Sequence, residues 1–146
     1  MFLADADATH RAGAMLAAQL RIGDVIALSG DLGAGKTSFA RGILAGLGLR
    51  EEAPSPSYAL VIPYDPPETR FSVWHADLYR LDRAEQAEEL GLDEARETAA
   101  LLIEWPERLG DQLWADALRL RFDHEGAGRR LTAGLAPSWE ARWPFQ

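Results

Sequence analysis

Apolar positions change period several times along this chain, and each change predicts an element. Between residues 9 and 20, Ala12, Met15, Leu16 and Leu20 recur at helical spacing, and Gly23 stops the helix that they predict. Residues 24–29 are nearly all apolar, the pattern of a strand covered on both faces and central in its sheet. Phe39, Ala40, Ile43, Leu44 and Leu47 return to helical spacing, with glycines 42, 46 and 48 weakening a helix that should finish near 45–47. Residues 58–63 and 70–75 read as two strands, the second setting Phe71, Val73 and His75 against Ser72 and Trp74. Tyr64-Asp65-Pro66-Pro67-Glu68-Thr69 joins them into a hairpin, which gives the sheet an antiparallel component.

Farther on, residues 83–90 suit a short helix capped by Asp82 and stopped by Gly91, and 92–98 a second, broken helical piece. Residues 99–103 form another buried strand that ends on Glu104. Leu118, Leu120 and Phe122 alternate with Arg119, Arg121 and Asp123, and Gly126-Ala127-Gly128 turns the chain into residues 129–135, a second hairpin. In the tail, Trp139, Trp143 and Phe145 are expected to cover an edge of the core.

Composition narrows the class. At 146 residues the chain is expected to be one domain, spanning 1–146, with a core that needs no disulfides. It has no cysteine, which excludes a disulfide framework, a thiolate metal site and a cysteine nucleophile. A formal net charge of −8 argues against an independent nucleic-acid binder. There is no run of eighteen apolar residues, and Met1-Phe2-Leu3-Ala4-Asp5 lacks the basic start of a signal peptide. A soluble, cytoplasmic protein with no membrane association is expected.

The chemistry concentrates in Gly30-Asp31-Leu32-Gly33-Ala34-Gly35-Lys36-Thr37-Ser38, a G-x-x-x-x-G-K-T phosphate loop between a predicted strand and a predicted helix. Glycines 30, 33 and 35 let consecutive amides close around an anion, and the next helix points its positive end at the same place. Lys36 would set an ammonium against the β- and γ-phosphates, and the Thr37 hydroxyl would coordinate magnesium. Ser38 adds a hydroxyl near the α-phosphate. Such a loop needs a further acidic residue at the carboxyl end of a neighbouring buried strand, and Glu104 fits. Asp77 could order an attacking water, accept its proton, hold magnesium through water, or simply cap Leu78-Tyr79-Arg80. For His75 and Arg80 structural roles are favoured, and for Ser55-Pro56-Ser57 a turn held by prolines.

Four blocks carry a resemblance. They are Gly30 to Phe39 with Arg41, Ser55-Pro56-Ser57-Tyr58, His75-Ala76-Asp77-Leu78-Tyr79-Arg80-Leu81, and Glu104-Trp105-Pro106-Glu107. In this order they resemble the bacterial TsaE (YjeE) family, small ATPases required for threonylcarbamoyl modification of adenosine in tRNA. The resemblance implies a three-layer α/β/α phosphate-loop fold with a mixed parallel and antiparallel sheet, binding ATP and Mg2+ and hydrolysing ATP slowly alone. It implies TsaD and TsaB as partners, which transfer the threonylcarbamoyl group to adenosine 37 of tRNAs reading codons that begin with A; tRNA is contacted only through them. By resemblance, Gly33, Ala34, Gly35, Lys36, Thr37 and Ser38 bind phosphates, and Thr37 and Glu104 hold the metal. Asp77 joins Lys36 and Glu104 as a residue needed for hydrolysis. Ser55-Pro56-Ser57 becomes a switch segment, and Trp105 a tryptophan beside the nucleotide and the partner surface. Nucleotide contacts are also implied near Ala6 and near Gly128. Serines 57 and 38 stand where the family usually has threonine, and each keeps the hydroxyl.

Two other readings use the same loop. A small-molecule kinase would need an arginine-bearing lid, yet residues 82–98 offer Arg83 and Arg96 amid Asp82, Glu85, Glu88, Glu89, Asp93, Glu94 and Glu97. A nucleotide-gated binding module with incidental hydrolysis differs only in which nucleotide state its partner prefers.

Overall fold

The computed structural model describes residues 1–56 and 60–145. Its strands are β1 (Phe2–Leu3), β2 (Val25–Gly30), β3 (Val61–Tyr64), β4 (Val73–Asp77), β5 (Ala100–Glu104), β6 (Leu118–Glu125) and β7 (Gly128–Gly134). The α-helices are α1 (Ala6–Ala17), α2 (Lys36–Gly46), α3 (Leu92–Ala95) and α4 (Pro137–Glu140), and 3-10 turns cover Ala84–Leu90 and Pro106–Gln112. Among the described residues the strands form one sheet in the order β1-β7-β6-β2-β5-β4-β3. The inner pairs β6-β2, β2-β5 and β5-β4 are parallel, and the outer pairs β1-β7, β7-β6 and β4-β3 are antiparallel. The nearly all-apolar run is therefore the middle strand of a mixed sheet.

Alternation along the inner strands sends side chains to two cores. Ile26, Leu28, Ala100, Leu102 and Val73 pack under α1 and α2 with Leu16, Phe39, Ile43 and Leu44. Val25, Ala27, Leu101, Ile103 and Ala76 pack on the opposite face with Ala87, Leu92, Ala95 and Leu109. The layering is thus α/β/α, with one thick helical layer and one thin layer of single turns. Trp139 of α4 closes the thick side, 1% exposed. The Arg142 guanidinium lies 3.9 Å from the Trp139 ring centroid and forks onto Asp24 at 2.8 and 2.9 Å, tying the tail to the start of β2.

Several boundaries differ from those the pattern predicts. α1 starts three residues early because Asp5 caps it, accepting from the Ala8 amide at 2.8 Å. β4 is shifted to end on Asp77 itself, since residues 70–72 serve the preceding loop, with the Arg70 amide on the Leu47 carbonyl. The predicted Asp82 cap is replaced by Gln86, whose side chain accepts from the Asp82 and Arg83 amides, and the segment winds as a 3-10 turn. β1 and the 3-10 turn Pro106–Gln112 are additions; two residues are too short for a periodic signal. Tyr58 and Ala59, which open the predicted strand 58–63, lie outside the described residues, as does Ser57.

Glycines 42 and 46 have a different use from the one that propensity suggests. A Cβ on Gly42 would sit 2.0 Å from the His10 carbonyl oxygen, and one on Gly13 would sit 2.2 Å from that of Phe39. α1 and α2 therefore cross backbone against backbone. That closeness fixes where α2 begins, and with it the loop that precedes α2.

Candidate functional site

The loop between β2 and α2 is shaped by its glycines. Gly30 has φ 136°, and a Cβ there would lie 2.2 Å from the Phe122 carbonyl oxygen, so no side chain fits. α2 opens at Lys36 with no side-chain cap and no acidic residue in its first turn. Its free amides and positive end face the loop, an arrangement suited to an anion. Lys36, 5% exposed, folds back so that its ammonium donates to the carbonyls of Gly30 and Asp31, the latter at 3.0 Å, and lies 4.1 Å from the centroid of the Trp105 ring. Burial pulls this ammonium below its ordinary 10.5, against the opposing pull of Glu104, Glu107, Asp77 and Asp31.

The parallel register brings the acidic groups to the same place. Glu104 pairs with Leu28 on one side and with Asp77 on the other, so both carboxylates stand at the carboxyl ends of inner strands. Alternation in phase with Val73 and Leu102 turns them to the α2 face. Glu104 is 2% exposed; its Oε1 accepts from the Thr37 hydroxyl at 2.9 Å, and its Oε2 lies 2.6 Å from His75 Nε2. Asp77, 6% exposed, accepts from the Tyr79 amide at 3.0 Å, which makes it both a turn former and a wall of the site.

These groups surround a cavity of about 260 Å³ lined by Ala6, Leu32, Gly33, Gly35, Lys36, Thr37, Ser38, Asp77, Glu104, Trp105 and Arg129. A larger hollow, about 590 Å³, lies on the opposite core between Ala87 and Trp114 and contains none of them. Ala34 does not line the cavity: its methyl is buried under the loop, and its amide donates to the Asp31 carbonyl. Gly128 does not either. A Cβ there would lie 2.5 Å from the Leu3 carbonyl oxygen, so this glycine serves the close approach of β1, and its neighbour Arg129 reaches the cavity instead. Ser55 and Arg80 are not among the lining residues.

Arg129 is the residue that sequence patterning missed. Its guanidinium lies 3.3 Å from where a Gly35 Cβ would be and donates to the Thr9 hydroxyl at 3.2 Å. Its Nε is buried without a partner among the described residues. The only signal in the sequence is a cationic residue directly after a turn glycine, which is too common to single out.

A seven-stranded mixed sheet with a glycine-rich loop between its middle strand and a closely packed helix defines an α/β protein of the phosphate-loop class. The family model described as "Threonylcarbamoyl adenosine biosynthesis protein TsaE" matches residues 3–131, and the chain belongs to the TsaE family. It is similar to the tRNA threonylcarbamoyladenosine biosynthesis protein TsaE of Synechocystis sp., 42% identical over 112 residues covering 74% of this chain and 70% of that protein. The TsaE protein of Streptomyces coelicolor is 38% identical over 112 residues, 76% of each chain. Among solved structures, Bacillus subtilis YdiB superposes with a TM-score of 0.79 at 28% identity, covering 97% of this chain and 88% of that one.

Proposed function

We propose that this chain is the ATPase component of tRNA threonylcarbamoyladenosine biosynthesis, binding ATP and Mg2+ at the loop and acting on a TsaD–TsaB complex. The observation that carries the reading is the Thr37–Glu104 contact at 2.9 Å, a hydroxyl and a carboxylate meeting beside the buried Lys36 ammonium. Those two oxygen donors fit magnesium, which takes one or two protein oxygens and completes its shell with phosphates and water. Among the described residues no group of three His, Cys, Asp or Glu could hold a metal by itself, in keeping with a site that the substrate completes. When bound, the ion neutralises charge developing on the β- and γ-phosphate oxygens.

The remaining work belongs to the chain. Loop amides and the start of α2 hold the phosphates, Lys36 exchanges its carbonyl partners for γ-phosphate oxygens, and Asp77 orients the attacking water and takes up its proton. Arg129, above Gly35, adds a second cation toward the nucleotide. The net charge of −8 supports contact with tRNA only through the partners. Family membership supports the pathway. No helix among the described residues is long and apolar enough to cross a membrane.

The test is reconstitution of tRNA modification from purified TsaD, TsaB, tRNA and ATP, with and without this chain. Modification that depends on the chain and releases phosphate is the expected result; modification equally fast without it rejects the assignment. In the same system Arg129→Ala should weaken ATP binding about tenfold by calorimetry, the value of one charge-assisted hydrogen bond. An unchanged dissociation constant would remove Arg129 from the site.

A further inference from the structure

His75 is buried at the site, yet nothing in the proposed chemistry uses it. Its imidazole is fully excluded from solvent, and it does not line the cavity. His75 Nε2 lies 2.6 Å from Glu104 Oε2, and because an ionised carboxylate only accepts, the contact assigns the donor role to Nε2. Nδ1 has no partner among the described residues. The imidazole commits a single nitrogen to a single carboxylate oxygen.

That commitment makes the two oxygens of Glu104 unequal. Oε2 is anchored to β4, and Oε1 is left for Thr37. The terminal torsion of a glutamate is broad, and the Lys36 ammonium attracts the same group, so an unanchored carboxylate could turn or lean away from the hydroxyl. We infer that His75 is a positioning residue, holding Glu104 so that Oε1 faces Thr37 and the metal position beside it. This rests on the magnesium reading above, and it follows the general pattern in which a ligating carboxylate is oriented by a second hydrogen bond.

The pair His75→Asn and His75→Gln tests it. Both carry the same amide, but only glutamine reaches as far as Nε2. Calorimetric titration with ADP, once with Mg2+ and once with EDTA, gives the gain in affinity due to the metal. The asparagine variant should lose about tenfold of that gain with its metal-free affinity unchanged, and glutamine should restore most of it. Asparagine keeping the parent's gain, or both variants losing metal-free affinity alike, overturns the inference. A parent protein that gains nothing from Mg2+ would instead reject the magnesium reading itself, a distinguishable outcome. Independently of how the variants fold, imidazole nitrogen NMR shifts of the unaltered protein should show a proton on Nε2; an Nε2 without a proton overturns the inference.

Discussion

Lys36→Ala is expected to lower ATP turnover by about 10²–10³-fold, the usual loss when one preorganised charge is removed from a phosphate-stabilising site. Lys36 is 5% exposed and its ammonium is satisfied by two loop carbonyls, so it is already at the cavity and needs only a change of partner. Glu104→Ala should match it, because the loss strips Thr37 of its partner. Parent-like turnover in both variants would sink the assignment. Folding can be monitored separately. Burial lowers the Lys36 ammonium, so the unfolded chain binds more protons between that lowered value and 10.5. Across that alkaline window this group makes stability rise with pH. Lys36→Ala should remove that component of the rise, which denaturation at several pH values would measure against the parent.

Gly42→Ala is expected to destabilise the fold by about 3 kcal/mol, although alanine is the better helix former by about 1 kcal/mol. The methyl would meet the His10 carbonyl at 2.0 Å, and neither that backbone nor the reciprocal contact of Gly13 with Phe39 has a flexible end to give way. The helices would have to part. α2 carries Lys36 and Thr37 in its first turn, so the same substitution should also weaken nucleotide binding. Urea denaturation with an unchanged slope and a lowered midpoint is the expected reading. Stability at or above the parent's would mean that the crossing is looser than its geometry.

Sequence periodicity located the middle strand, the loop and the helix after it because each has a strong local signature. It also put Glu104 at a strand end, and the alternation of Val73 and His75 already contained the phase that turns Asp77 toward α2. What it could not give depends on contacts distant in the chain. The meaning of glycines 13 and 42 appears only when two helices cross, and that of Gly128 only when β1 lies beside it. The bond between His75 and Glu104 spans 29 positions, and that between Thr37 and Glu104 spans 67. No short-range pattern encodes either. The 3-10 turn after Trp105 was invisible for another reason: it begins from a left-handed tryptophan, φ 61°, a conformation that side-chain type does not predict.

The match to the family model ends at residue 131, but the folded body does not. Trp139 fills the helical side of the interior, and truncating a buried tryptophan side chain to alanine alone costs about 3–5 kcal/mol. That is a large share of the total stability of a small protein, about 5–15 kcal/mol. A gene fragment trimmed to the stretch that the family model matches would leave the place of Trp139 in the helical-side core empty and release Asp24 from Arg142. The span that defines the family and the span that holds the fold together therefore have different borders here, and the second should decide where this polypeptide is cut.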